Sequence, residues 1–441
     1  MLRGCVALST MISDILILGA GAAGLLAARN LARAGRRVTV LEARSRPGGR
    51  IHTLAAEAGF SAPTEAGAEF LHGDVPLTRQ LLQEYGITWL ATAGTTYEVT
   101  DGQARPAESF LDDMPLLLSK LHSLPHDMPL TEFLAQYFPG NDHQILREQV
   151  IRFAEGYDAA DAHRASAFAL RDEWSGTGAE DSPRPVGGYA GLIAGLVRDL
   201  QAAGGQLLLA TQAERIVWQP GQVTVQCTDG RRFQAPQLLI AVPLGIWQAK
   251  SGQPGHLLLQ PELPTHRAAA QELGFGAVIK FLLEFDEPLW ESALHGPTQP
   301  LPDLGFLFSD AAVPTWWSQY PSSRPLLTGW LAGPAASQRR HLTADNLLAE
   351  ALTSLAYLLR TTPDFLRQHL RAHHIVNWAA DPLALGAYAY STIGAAEARA
   401  ALATSVADTL FIAGEGVYDG PYIGTVEAAL VSGAEAAARL A

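Results

Sequence analysis

Hydrophobic and polar positions change register several times along the 441 residues. Residues 14–18, Asp-Ile-Leu-Ile-Leu, form a continuous apolar run, the pattern of a parallel strand buried on both faces. Gly19-Ala-Gly21-Ala-Ala23-Gly24 follows at once, after which Leu25, Leu26, Ala28, Leu31 and Ala32 recur at helical spacing until Gly35. A second strand is predicted over 37–41, which completes a βαβ unit. From residue 77 the period is helical, in segments 77–85, 116–121, 130–137 and 141–155 punctuated by proline. Gly187-Gly188 precedes a helix predicted at 192–203, and Gly204-Gly205 leads into strands near 206–210, 222–227 and 233–242. Between 257 and about 376, strands at 278–285 and 326–331 alternate with helices such as 347–359. A short buried strand at 409–413 and a small-residue helix at 426–440 close the chain.

Such a length suits two domains, because single cores stop growing near roughly 250–300 residues. The hydrophobic fraction of 48% and charged fraction of 17% describe an ordered globular chain. A net charge of −13 argues against a nucleic-acid partner or an anionic membrane surface. Two cysteines, Cys5 and Cys227, cannot build a disulfide framework, and a reducing cytoplasm is expected. Residues 1–10 lack a secretory apolar core, and Met11 competes with Met1 as the start. The most apolar segment, residues 15–28, is broken by three glycines and is shorter than the roughly 20 residues of a spanning helix, so no membrane segment is expected. No histidine or cysteine spacing points to a metal.

A glycine-rich turn alone is weak evidence of chemistry, but here it follows a strand, opens a helix, and precedes Glu42 at the end of the next strand. Gly19 permits the tight turn, Gly21 lets backbone approach a pyrophosphate, and Gly24 allows close helix packing. The helix start supplies N–H groups and a positive dipole end. Glu42 suits ribose hydroxyls and disfavours a 2′-phosphate, which leaves NAD or FAD.

The stretch Glu42-Ala-Arg44-Ser-Arg46-Pro-Gly48-Gly49-Arg50 separates those two. Its spacing resembles the flavin-containing amine oxidase superfamily, which includes monoamine and polyamine oxidases, lysine-specific demethylases and L-amino-acid oxidases. Arg44 and Arg50 would offset a diphosphate charge while Gly49 lets the loop pass closely. The resemblance extends to Phe411-Ile-Ala-Gly414-Glu415 and Gly424-Thr425-Val426-Glu-Ala-Ala, similar to the family's C-terminal flavin segment. It implies that Glu415 holds the ribityl or pyrophosphate region and that the Val426 N–H faces the flavin. Gly67-Ala68-Glu69-Phe70 resembles the segment beneath the isoalloxazine, and Ala213 the backbone contact to adenine. The implied fold is α/β. A Rossmann-like, GR2-type FAD-binding domain (11–75, 186–255 and 375–441) is interrupted by a mixed α+β substrate domain (76–185 and 256–374).

The chain has three lysines, and Lys280 stands in a strand similar to the family strand whose lysine holds a water against flavin N5. The alternative is an edge-strand lysine facing solvent. Asn377-Trp378 and Gly386-Ala387-Tyr388 resemble the segment in which the tryptophan packs near the flavin and the tyrosine walls an aromatic cage. Members with covalent flavin have cysteine where this chain has Ala387, so the resemblance implies non-covalent FAD. Thr425 stands where monoamine oxidases have a second cage tyrosine, which implies a more open site. His72-Gly73 is similar to polyamine oxidases, and His72 is either a substrate contact or a loop residue. Phe70 stands where L-amino-acid oxidases place a carboxylate-binding arginine. Glu65 and Glu69 are candidates for negative charge toward a polyamine, or for bonds to backbone amides. The expected reaction is oxidation of an amine by hydride transfer to FAD, with O2 as acceptor. A desaturase or porphyrinogen oxidase, or a flavin-bound scaffold, remains the alternative. Oligomeric state is not legible.

Overall fold

The apolar run that opens the chain is the middle of a five-stranded parallel sheet. In the computed structural model, which describes residues 13–56, 59–107, 113–176, 182–291 and 298–441, its order is Leu410–Ile412, Gln237–Ile240, Ile15–Leu18, Val38–Leu41, Gln206–Leu208. Met1, Cys5 and Met11 lie outside the described residues. Ile15 and Ile17 enter one core, against the helices Ala22–Arg33, Ala190–Ala202 and Val426–Leu440. Leu16 and Leu18 enter another, on the opposite face. Both faces are covered, which is why the strand shows no polar alternation.

The second core is shared with a four-stranded sheet ordered Arg232–Ala235, Gln222–Cys227, Ala213–Gln219, Leu258–Gln260. The strand expected over 233–242 is two strands in two sheets, Arg232–Ala235 and Gln237–Ile240. Pro236 divides them, having no N–H to continue a ladder. The strand at Ala213–Gln219 escapes the hydrophobic pattern because only Ile216 in it is buried.

A seven-stranded sheet is ordered Leu370–Asn377, Val278–Phe285, Leu326–Ala332, Thr315–Trp317, Leu304–Ser309, Thr95–Thr100, Gln103–Pro106. Its last two strands come from the stretch that reads as helical, and Thr95–Thr100 pairs in parallel with Leu304–Ser309. The Thr-Thr-Tyr-Glu-Val-Thr sequence there carries β-forming residues that the neighbouring helical period obscures. The helices Met114–His122, Leu130–Tyr137, Gln144–Tyr157 and Ala167–Trp174 form a separate cluster around Phe133 and Phe138. No helix of the described residues is long and apolar enough to cross a membrane.

The first and last helices touch at Gly433, where a Cβ would lie 2.3 Å from the Ala23 carbonyl oxygen. Overpacking of this kind costs about 1–3 kcal/mol. Gly433→Ala is therefore expected to lower Tm by several degrees in a thermal melt, with the loss larger in the presence of cofactor. An unchanged Tm would show that the two helices separate freely.

Candidate active site

A cavity of about 1300 Å³ opens at the carboxyl ends of the parallel strands, lined there by Leu18, Gly19, Leu41, Glu42 and Ala241. That edge is where open α/β sheets bind ligands. The cavity continues between the seven-stranded sheet, which contributes Lys280, Trp317 and Trp330, and the helical residues 145–173. Of the residues singled out from sequence, Gly19, Gly21, Ala23, Glu42, Arg44, Gly49, Arg50, Gly67, Ala68, Glu69, Phe70, His72, Ala213, Lys280, Trp378, Tyr388, Gly414, Glu415, Thr425 and Val426 all line it. Gly24 does not. It sits behind the turn, where a Cβ would be 2.0 Å from the Gly19 carbonyl oxygen.

At the sheet end, Gly21 has open space where a Cβ would project. The Ala22–Arg33 helix begins there with no side-chain cap, leaving its first N–H groups available to an anion. The Arg44–Arg50 loop closes onto this turn, with Gly48 N–H donating to Ala20 O at 2.8 Å. Glu42 accepts from the Ala20 and Arg44 amides at 2.7 and 2.9 Å. Arg44 is gripped by both oxygens of Asp381 at 2.9 Å, so its charge reaches the cavity partly neutralised. Arg50 pairs with Glu415 at 2.7 Å and with the Ala387 carbonyl, and Glu415 also accepts from Ala389 N–H. Thr425 caps the last helix, its hydroxyl accepting from Ala428 N–H and donating to Tyr422 O.

Lys280 lies on a central strand, paired on both sides, and its side chain is 1% exposed, which excludes the solvent-facing alternative. Its ammonium donates to Glu69 Oε2 at 2.7 Å and to Gly67 O at 3.2 Å. Glu69 also takes a bond from Trp317 Nε1 at 3.0 Å and lies 3.0 Å from Arg184 Nε. Burial alone would raise the Glu69 pKa, but the charges of Lys280 and Arg184 hold it down to about 2. Glu69 is thus neutralised within the protein and cannot supply net charge to a substrate. Glu65, behind it, is pushed by burial up to about 7.

An aromatic wall runs from Phe70 to Trp317, Trp330 and Tyr388, with ring centroids 5.5, 5.8 and 6.5 Å apart in turn. The Tyr388 hydroxyl donates to Tyr157 O at 2.7 Å, and the Trp330 indole to Gly156 O at 2.9 Å, so both rings are pinned. His72 reaches Ser182 Oγ at 3.0 Å and the Tyr157 hydroxyl at 3.5 Å. Beside Tyr157 stand Asp158 and Glu173, two carboxyls in the cavity wall. Burial and the charge of Glu173 push Asp158 far above the usual carboxylate range, while Glu173 itself is exposed to the cavity. Sequence reasoning missed Asp158, Glu173, Tyr157, Trp317 and Trp330. They sit in stretches without a glycine motif, and only the fold brings them to Tyr388.

A sequence profile for a family described as flavin containing amine oxidoreductase matches residues 22–441. The chain belongs to that family. This makes it an FAD-dependent amine oxidoreductase. Among curated proteins it is similar to Polyamine oxidase 4 of Oryza sativa subsp. japonica, 27% identical over 96% of this chain and 88% of that protein. It is also similar to Lysine-specific histone demethylase 2 of Homo sapiens, 26% identical over 97% of this chain and 53% of that one. Two solved structures share the fold. One is a putrescine oxidase with putrescine bound (TM-score 0.76, 21% identity, 97% and 99% covered), the other cyclohexylamine oxidase from Brevibacterium oxydans IH-35A (TM-score 0.78, 20% identity, 97% and 98% covered).

In this amine oxidoreductase Glu69 has a depressed pKa, so its stabilisation is present above the ordinary value of 4.5 and is lost as pH falls toward about 2. Lys280→Met removes the cation with the stronger hold on Glu69. The acid-unfolding midpoint, followed by circular dichroism, is expected to move to higher pH in that variant. An unmoved midpoint would mean that Arg184 alone sustains the carboxylate.

Proposed function

We propose that the protein oxidises a diamine or polyamine, with FAD held non-covalently by a domain built from 11–75, 186–255 and 375–441. The substrate domain is 76–185 with 256–374. The open space at Gly21, the uncapped helix start and the cavity along the parallel-sheet edge fit a dinucleotide of this size. Cys227 is buried outside the cavity lining and Ala387 stands beside Tyr388, which supports non-covalent attachment. The bound flavin would accept a hydride from the amine carbon at N5 and deliver both electrons to O2. The balance is amine plus O2 plus water giving aldehyde, ammonia or a smaller amine, and hydrogen peroxide.

The protein's own groups divide the remaining work. Trp330 and Tyr388, held by their bonds to Gly156 and Tyr157, exclude water from the reacting amine. Desolvation favours the neutral amine, the form able to give up hydride. Asp158 and Glu173 place two carboxyls in the cavity wall, matched to a second ammonium on the same substrate. This pair is the observation that carries the reading, because an apolar or monofunctional substrate leaves it unpartnered in the cavity wall. The same wall adds Glu148, Glu155 and Asp172, against one basic residue, Arg152, among the described lining residues 145–173. Lys280 places a buried cation at the flavin side, suited to negative charge developing as O2 is reduced.

Peroxide production should therefore favour straight-chain α,ω-diamines and polyamines over monoamines of equal length. Asp158→Asn is expected to lower kcat/KM for diamines by about tenfold to a hundredfold, the worth of a charged hydrogen bond, and to leave monoamines nearly unchanged. Equal loss on both substrate types would sink the anchoring role. Lys280→Met should slow stopped-flow reoxidation by O2 more than it weakens FAD binding, and normal reoxidation would remove the lysine from the oxygen step.

A further inference from the structure

Behind the Lys280–Glu69 pair lies a second cavity of about 120 Å³, walled by Glu65, Glu69, Arg184, Gln319, Arg324 and Thr328 among others. Three buried polar atoms in its wall, Glu65 Oε2, Thr328 Oγ1 and Arg184 Nε, make no hydrogen bond to the protein, the last being ion-paired with Glu69 at 3.0 Å. A polar space of this size has room for about four waters, each needing two to four polar partners. Glu69 lines both this chamber and the large cavity, so it joins the two. The chamber is built around Glu65: its Oε1 accepts from Thr53 Oγ1 at 2.8 Å and Tyr189 N–H at 2.6 Å. Gly188, with φ of +75°, makes room for that carboxylate, since a Cβ there would lie 1.8 Å from Oε1. At the chamber's other margin Arg324 is held by Glu284, Ala62 O and Thr64 Oγ1.

We propose that this chamber is a hydrated proton-exchange site serving the active-site lysine, with Glu65 as the group that takes up and releases the proton. In the exchange the Lys280 ammonium gives a proton to the main cavity. A proton from the Glu65 carboxyl then passes through the chamber waters and Glu69 to restore the ammonium. One N–H bond breaks and one re-forms, the carboxyl O–H becomes a carboxylate that water at the chamber's exposed margin, by Pro63 and Gly187, protonates again, and no electron moves. Geometry supplies the route, and burial supplies a carboxyl that changes charge near neutrality. Burial is the dominant influence on Glu65; Glu69 adds to it, while Lys280 and the bonds from Thr53 and Tyr189 oppose it. Arg184 and Arg324 face the chamber from the other walls, and the Tyr189 phenol is the remaining titratable group near Glu65. The arrangement gives Lys280 a proton supply that does not pass through the aromatic wall.

The inference rests on the reading of Lys280 as a group at the flavin side. The test uses FAD-loaded enzyme photoreduced without any amine, so it does not depend on the substrate being right. Infrared difference spectra, taken from about pH 5 to 9, should show a protonated-carboxyl band that titrates near neutrality and disappears in Glu65→Gln. Proton uptake on photoreduction, followed with an indicator dye, should slow by about tenfold or more in Glu65→Gln and in Thr328→Val. Thr328→Val keeps the carboxyl and decides the matter if Glu65→Gln does not fold. A band that survives in Glu65→Gln, or wild-type proton-uptake rates in the variants with the FAD spectrum intact, overturns the proposal. Absence of amine turnover with the band and uptake rates as expected would instead remove the diamine reading and leave the chamber standing.

Discussion

The buried ion pair between Lys280 and Glu69 is the joint on which the cavity depends. Lys280 belongs to the seven-stranded sheet, whereas Glu69 and Gly67 belong to the loop that passes along the edge of the parallel-sheet core. Neither charge is tolerable alone at that depth, since an uncompensated buried ion costs several kcal/mol. Pairing them fixes how the sheet sits against the loop. The constraint continues through Gly67, where a Cβ would lie 1.8 Å from the Arg50 carbonyl oxygen, and through Arg50 to Glu415 and the Ala389 amide. These contacts tie the seven-stranded sheet to the C-terminal segment.

Because Glu69 is neutralised in this way, the proposed recognition of a cationic substrate falls to other carboxyls. Asp158 and Glu173 are placed beside Tyr388 by the ends of two helices from a cluster with its own core. The two walls of the cavity have different physics: one is aromatic and pinned by hydrogen bonds, the other acidic.

The reading from sequence was strongest where a residue type answers to backbone geometry. Gly19 and Gly24 were legible because a Cβ at either would meet backbone, at 2.6 and 2.0 Å, whereas Gly21, whose Cβ would meet nothing in the protein, was legible only through its place in the motif. Lys280 was legible through its rarity and its strand. Thr95–Thr100 was not, since β-forming residues inside a helical stretch identify no partner, and its partner Leu304–Ser309 lies some two hundred residues away. The single run at 233–242 also misled, because the hydrophobic pattern continues across Pro236 while the hydrogen-bond ladder cannot.

Local sequence determined the βαβ unit, the glycine-rich turn, the C-terminal helix with its Thr425 cap, and through them the cofactor class. These depend on contacts within a few residues or on steric rules that each position obeys by itself. Tertiary structure decided which charges are available and which are neutralised: Arg44 is held by Asp381, Glu69 by Lys280 and Arg184, and the Asp158 carboxyl is pushed up by burial and by Glu173. Charge at a buried position is set by partners and desolvation, and both come from chain segments far apart in sequence. Gly67 and Lys280 each answer to a local pattern, but that they meet across one hydrogen bond is a property of the fold alone.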